Sequence, residues 1–400
     1  MLDRRRGTML DLRRENRAAV LWSLYFSRPC SRQELSVATG LSPTSVTTVV
    51  RELLDEGIAT EVGSEESRGG RPRALLDVNP DYGYLIGVDA GKTRVRVELF
   101  DLTMTERAKA EYPVNPAERD VDVVARNIAA GLRTVVADGG VDPGAVLGAG
   151  IGVAGKVEHG SEVLVHSQAY QWNAVPLERL LRAHTDLPLR FENSAKSMGQ
   201  AELRFGAGRD VGTAVVALIG SGVGASLISG GDTYQGATST AVEWGHTTIV
   251  ARGRRCRCGT AGCLEAYVGS EAILDRCGSP AAQSADDDES TLAALITGAR
   301  SSRSADAILA ETAEYIGIGI GNLINLFNPE RVILGGQAGL LLGSRLLPAI
   351  RESARQNSLR HAFAGTSIEL SRFGPEAITL GAATLPLEDL LNGASAPTAP

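Results

Sequence analysis

Three thiols and an imidazole stand close together in the middle of this chain. Cys256, Cys258 and Cys263 fall within eight residues, and His246 lies ten positions upstream of the first. Thiolate and imidazole are ligands that suit a closed, four-coordinate zinc site, here one structural zinc per chain. The loop between His246 and Cys256 carries Arg252, Gly253, Arg254 and Arg255 and has no apolar periodicity, so a metal would clamp it. Two carboxylates, Glu243 and Glu265, flank the four ligands. Carboxylates held beside a metal clip can accept hydrogen bonds from hydroxyls, as in a sugar pocket. A zinc knuckle that only staples a loop would use the same four residues.

Glycine turns are a second source of chemistry. Asp89-Ala90-Gly91-Lys92-Thr93 follows Tyr84–Val88 and precedes the alternation of Val95, Val97 and Leu99. Gly220-Ser221-Gly222-Val223-Gly224 sits between Ala214–Ile219 and Ala225–Ile228. Each reads as strand, turn, strand, and a glycine turn offers backbone N–H groups to an anion. Each alone is equally an ordinary hairpin; the two together predict a duplicated fold with one phosphate-facing turn per half.

The third group lies near the N-terminus. Ser31-Arg32-Gln33-Glu34 is a capping box, so a helix starts at Arg32 and runs to about Thr39, where Gly40 breaks it. Ser42 then caps a helix with Pro43 at its first position. Val46, Val49, Val50, Leu53 and Leu54 form its apolar stripe, and Thr44, Ser45, Thr47, Thr48 and Arg51 lie opposite. With a preceding helix over 13–27, this is the helix-turn-helix plan, whose short hydroxyl side chains can enter a major groove. Two short strands, Ile58–Gly63 and Ala74–Val78, frame the tip Ser67-Arg68-Gly69-Gly70-Arg71-Pro72-Arg73. That hairpin is a wing, whose Arg68, Arg71 and Arg73 can reach a minor groove or phosphates.

These groups need elements to position them, and the chain is long enough for several. Four hundred residues exceed one ordinary core. No apolar run reaches the roughly 18 residues of a membrane span, and no secretory signal follows the arginine-rich start, so a cytoplasmic protein with no membrane contact is expected. Residues 1–80 hold 12 Arg and 11 Asp plus Glu, a balance of +1, which leaves −8 of the formal −7 on the rest. A near-neutral head on an acidic body fits a nucleic-acid contact made by a few local arginines. Beyond Asn79-Pro80-Asp81 the texture turns to long β-like runs. A helix (121–137), a strand (146–153) ending in Ala154-Gly155, a helix (176–183), a strand (187–191) ending in Glu192-Asn193-Ser194 and a helix to Phe205 separate the two glycine turns. Later come a small, acidic surface loop (278–290), a long helix (308–327) with Gly317, Gly319 and Gly321 for close packing, and a strand at Val332–Leu334 before Gly335-Gly336. The segment 391–400 is Ala-, Ser- and Pro-rich and reads as a flexible tail.

Together these residues resemble the ROK family of sugar kinases and sugar-responsive repressors. The likeness covers essentially the whole chain, and His246, Cys256, Cys258 and Cys263 match the family's zinc motif in order and spacing. It implies an actin-like, ribonuclease H-like duplicated, two-lobed α/β domain over 81–390, split near 193, behind an α+β winged helix-turn-helix domain over 1–80. It also implies sugar contacts at Asn193, Glu243, His246 and Glu265, with Gly155 close by. Two departures stand out. Family kinases carry an Asn-Asp pair whose Asp is the general base, and here the pair is Asn193-Ser194. A serine hydroxyl has no useful basicity at neutral pH, and Glu192, one residue earlier, should point away. The family's Asp-x-Gly-Gly-Thr turn is here Asp89-Ala90-Gly91-Lys92-Thr93, which puts a side chain where phosphate would lie. Asp89, Gly91, Thr93, Gly220, Gly222 and Gly224 then form a degenerate nucleotide site. The expectation is a sugar-responsive regulator without kinase activity, reading a double-stranded DNA operator as a homodimer or dimer of dimers, with a sugar or sugar phosphate as effector. The competing reading is a sugar kinase with an appended DNA-binding head.

Overall fold

The computed structural model describes residues 9–65, 72–115, 120–278, 288–298 and 303–393. Three helices open the chain: α1 (Met9–Ser27), α2 (Arg32–Thr39) and α3 (Pro43–Asp55). The caps act as the sequence requires. Ser31 Oγ accepts from the Glu34 amide at 3.3 Å, and Glu34 Oε2 accepts from the Ser31 amide at 2.7 Å. Gly40 closes α2 in the left-handed region (φ 69°), which costs glycine little. The strands β1 (Cys30–Ser31), β2 (Ala59–Glu65) and β3 (Arg73–Val78) form an antiparallel sheet in the order β1-β3-β2. Val20, Leu21 and Leu24 meet Val46, Val50 and Leu53 beneath it.

The first lobe begins with the meander β4 (Tyr84–Ala90), β5 (Arg94–Asp101) and β6 (Glu106–Pro113), then α4 (Val121–Asp138) and β7 (Val146–Val153). A small antiparallel sheet of β8 (Lys156–Glu158), β9 (Leu164–Ser167) and β10 (Trp172–Val175) was not anticipated; α5 (Leu177–Arg182) and β11 (Leu189–Asn193) complete the lobe. Its sheet runs β11-β7-β4-β5-β6, with β7 parallel to both β4 and β11. The second lobe follows α6 (Ser194–Phe205). It has the meander β12 (Thr213–Ile219), β13 (Val223–Ser229) and β14 (Asp232–Thr233), then α7 (Glu265–Val268), α8 (Ser270–Arg276), α9 (Asp288–Gly298) and α10 (Arg303–Phe327). β15 (Arg331–Gly335), α11 (Gln337–Gln356), α12 (Arg360–Ala364), β16 (Ser367–Leu370) and α13 (Ala377–Leu391) end the described chain. Its sheet runs β16-β15-β12-β13-β14, with β15 parallel to β12 and β16. Both sheets are therefore an antiparallel meander extended by two parallel strands, the duplication that the paired glycine turns imply.

Two helices make the seam. α6 packs on β12 and β13, α13 packs on β4 and β7, and the two helices pack on each other. α13 approaches its sheet very closely: a Cβ on Gly87 would come within 1.9 Å of the Thr379 carbonyl, and one on Gly150 within 1.8 Å of the Ala382 carbonyl. The first helices are not tethered loosely to this body. Their core is continuous with Leu85, Phe100, Leu102, Leu380, Leu387 and Leu391. Tyr25 donates to the Leu102 carbonyl at 2.9 Å, and the Trp22 indole donates to Asn392 at 3.0 Å.

Two expectations need adjustment. Asp288–Ser290, read as the end of an acidic surface loop, begin α9; residues 279–287 lie outside the described residues. α10 is the one described helix long and apolar enough by composition to cross a membrane. Here its Leu309, Ile316, Ile320 and Ile324 fill the core of the second lobe.

Candidate functional site

A cavity of about 590 Å³ opens between the lobes. Both glycine turns face it: Asp89, Gly91 and Thr93 from one side, and Gly220, Gly222 and Gly224 from the other. Gly155, Asn193, Glu243, His246 and Glu265 line it as well, so the structure brings together every residue that the resemblance assigned to sugar and nucleotide.

Their commitments differ. Asn193 is largely spent on the fold. Its Nδ2 donates to the Gly155 carbonyl at 2.8 Å, and its Oδ1 caps α6 by accepting from the amides of Ala195 and Lys196 at 2.8 and 3.2 Å. Glu265 is also engaged: Oε2 accepts from the Val223 amide and Oε1 from Arg257 Nε, both at 2.9 Å. Glu243 has no hydrogen-bond partner for its carboxylate among the described residues, and burial pushes its carboxyl above the usual range. Its acceptors are open to a hydroxyl. A short turn, Trp244–His246, holds it, pinned because the buried Trp244 indole donates to the Gly319 carbonyl of α10 at 3.0 Å. Of the glycines at 317, 319 and 321, Gly319 makes room for that ring, while Gly317 and Gly321 let α10 pack closely on Ser353 and Asn357.

The four proposed metal ligands converge. Their ligand atoms lie within 4.8 Å of one another. Cys258 Sγ is 3.7 Å from Cys263 Sγ, and Cys256 Sγ is 3.6 Å from His246 Nδ1. A tetrahedron with ordinary zinc bond lengths requires about 3.8 Å between sulfurs and about 3.6 Å between sulfur and nitrogen. The donor set suits a closed, tetrahedral ion, and these two distances match one. Gly259 (φ 93°) and Gly262 (φ 85°) give the tight loop its left-handed turns.

The altered phosphate turn behaves unexpectedly. Lys92 does not project into open space: it pairs with Glu271 of α8, joining the first lobe to the second. Arg257 sits 3.6 Å from the same Glu271 and donates to the Ser221 carbonyl. Glu271 was not identifiable from spacing, because its contact with Lys92 joins residues 179 apart. Burial raises the Asp89 carboxyl to about 6 against the pull of Arg96 and Arg94. Glu192 is off the cavity wall, as side-chain alternation predicts. Its Oε1 accepts from the Asn193 amide at 2.7 Å and its Oε2 from Gln235 at 3.0 Å.

A second surface lies on α3. Thr44, Thr47, Thr48 and Arg51 share one exposed face. The Thr47 and Thr48 hydroxyls donate back to the Pro43 and Thr44 carbonyls, at 2.8 and 3.0 Å, and so offer acceptors outward. Ser45 departs from its expected role: it is half-buried, with its hydroxyl 2.9 Å from that of Ser42 in the cap. Arg73 is exposed at the start of β3; Arg68 and Arg71 lie outside the described residues.

The profile of the ROK family matches residues 85–389. The chain is 31% identical over 395 residues to the xylose repressor of Caldicellulosiruptor bescii, covering 96% of this chain and 98% of that one. It is 26% identical over 400 residues to the N-acetylglucosamine repressor of Escherichia coli, covering 94% and 93%. Among solved structures, a ROK family transcriptional regulator, a homolog of Escherichia coli MLC protein, superposes with a TM-score of 0.77 at 27% identity over 96% of this chain and 97% of that one. A ROK family glucokinase from Streptomyces griseus, in complex with glucose and AMPPNP, gives 0.65 at 26% identity, covering 76% of this chain and 99% of the kinase.

Proposed function

Because the chain belongs to the ROK family, we propose that it is a sugar-responsive transcriptional repressor of carbohydrate-utilisation genes. One observation carries this reading: the repressor relatives match both the first 80 residues and the body, whereas the glucokinase matches about three quarters of the chain. Residues 1–80 form a winged helix-turn-helix head, 81–390 the sugar-sensing domain and 391–400 a tail. Thr44, Thr47, Thr48 and Arg51, with Ser45 supporting the cap, enter the major groove; Arg68, Arg71 and Arg73 reach the minor groove or phosphates. Two heads of a homodimer cover a near-palindromic operator. The protein works in the cytoplasm, on the nucleoid when operator-bound. Arg51→Ala is expected to weaken operator binding by about tenfold or more and to flatten its salt dependence by about one unit of log–log slope. An unchanged gel shift across salt concentrations rejects the assignment.

The sugar lies in the interlobe cavity, with Glu243 accepting from its hydroxyls. Asn193, His246, Glu265 and Gly155 shape the wall. Glu243→Gln should weaken effector binding about 10- to 100-fold, since a charged acceptor is worth more than a neutral one, while operator binding persists. Calorimetry with the effector and a gel shift without it read the two halves. Zinc bound by His246, Cys256, Cys258 and Cys263 would supply rigidity to this wall, not Lewis acidity.

No kinase step is assigned. Ser194 cannot take a proton from a sugar hydroxyl, and Lys92 is drawn to Glu271 across the degenerate nucleotide site. Steady turnover of ATP in the presence of a hexose would restore the enzyme reading.

A further inference from the structure

α6 enters the cavity with its first turn, and Ser194, Ala195 and Lys196 all line it. Lys196 occupies the third helical position and is 3% exposed. Three costs fall on its ammonium. Burial strips its water and pushes its pKa down. The N-terminal end of a 12-residue helix carries partial positive charge, which repels it. And among the described residues it makes no salt bridge: Nζ donates to Gln235 Oε1 at 2.6 Å and to the Ser239 carbonyl at 2.7 Å, both neutral.

The carboxylates that act on it do so at longer range. They are Glu192 and Glu243. Glu192 is already held by the Asn193 amide and by Gln235, the residue that separates it from Lys196. Other cations of the wall are matched: Lys92 with Glu271, Lys156 with Glu158, Arg257 with Glu265. On the same turn, the Ser194 hydroxyl is buried without a partner among the described residues, and the residue is 7% exposed. A buried cation without a contacting counter-ion and a buried hydroxyl without a bond are the two parts of an anion cradle.

We propose that the first turn of α6 is a subsite for the anionic group, carboxylate or phosphate ester, of an acidic sugar. Lys196 pairs with its charge, and Ser194 donates a hydrogen bond to it. This rests on the sugar-sensor reading and names the ligand class. The amides of Ala195 and Lys196 are spent on Asn193, so side chains and not backbone meet the anion. An uncharged sugar leaves the ammonium unmatched, and discrimination between charged and uncharged ligands follows.

Calorimetry on the zinc-loaded full chain tests this with three matched sets: glucose, galactose and mannose, each beside its 6-carboxylate and its 6-phosphate. In at least one set an acidic member is expected to bind about tenfold or more tightly than its uncharged parent. Lys196→Met should erase that gap, and Lys196→Arg should retain most of it. Operator binding by both variants checks that they are folded. Which acid wins distinguishes carboxylate from phosphate. Uncharged parents binding as tightly as the acids, or a gap that survives in Lys196→Met, overturns the proposal while leaving a sugar sensor. Binding of no sugar in any set removes the sensor reading, and the subsite with it.

Discussion

Cys263→Ser is expected to release zinc and to lower the melting temperature by about 10 °C or more. The donor set suits a tetrahedral ion, and the Cys258 and Cys263 sulfurs, 3.7 Å apart, match one. Zinc affinities in small metal-folded units run to about 10–16 kcal/mol. If even half of that is linked to folding here, the shift follows, at about 2 °C per kcal/mol for a large domain. The loop also has a ladder of short-range backbone bonds, such as Cys256 N to the Thr260 carbonyl at 2.9 Å, but no helix or long strand of its own. The functional result should be lopsided. Glu243, His246 and Glu265 all hang on this segment, so effector binding is lost, whereas α3 lies in another part of the molecule and should still grip DNA. Zinc stoichiometry, calorimetric melting and an effector-titrated gel shift measure the three effects. A metal-free protein of unchanged stability that still answers its effector would refute the structural zinc.

Phe205→Ala is expected to separate sensing from DNA release. α6 spans about 18 Å along its axis. One end is capped by Asn193 at the cavity, and the other presents Phe205 to Phe26 of α1, ring centroids 6.0 Å apart. Beside it, Arg204 lies 4.8 Å over the Trp22 ring and pairs with Glu388 of α13 at 2.7 Å. One helix therefore joins the cavity wall to α1, and on the proposed function it joins the effector site to the DNA-binding head. Coupling between sites is typically 1–3 kcal/mol, about 5- to 150-fold in affinity. Removing the half-buried ring costs about 1–3 kcal/mol of stability, too little to unfold the chain. Operator affinity without effector should stay within about threefold of wild type, effector affinity should hold, and the effector's influence on the operator should shrink toward onefold. An unchanged ratio would place the coupling elsewhere.

Much of this was readable from residue order, and the reason is local. The cap pairs Ser31/Glu34 and Ser42/Pro43 act within four residues, so both ends of the α2–α3 turn could be placed. Val146–Val153 is a buried run with small residues, and it is the central parallel strand. The metal ligands cluster in sequence and in space alike. What could not be read depends on distant partners. Glu265 looks like a free carboxylate until Val223 and Arg257 arrive beside it. Lys92 looks like a phosphate ligand until Glu271 meets it. α13 is buried on nearly every side and has Pro386 in its interior, so it shows no amphipathic stripe to mark it as a helix. The small sheet β8–β10 is too short to carry a period.

α13 also constrains the order in which this protein can be made. It is encoded after the whole second lobe, yet it covers the sheet of the first and touches Trp22 through Asn392. Nascent chains leave the ribosome beginning with the segments near their start, and early domains usually fold as they emerge. Here α1 waits, with Leu21, Leu24 and Tyr25 lacking part of their cover, until α13, more than 350 residues later, has been made. A premature stop codon before residue 377 would therefore leave the core shared by α1 and the first lobe without Leu380, Leu387 and Leu391.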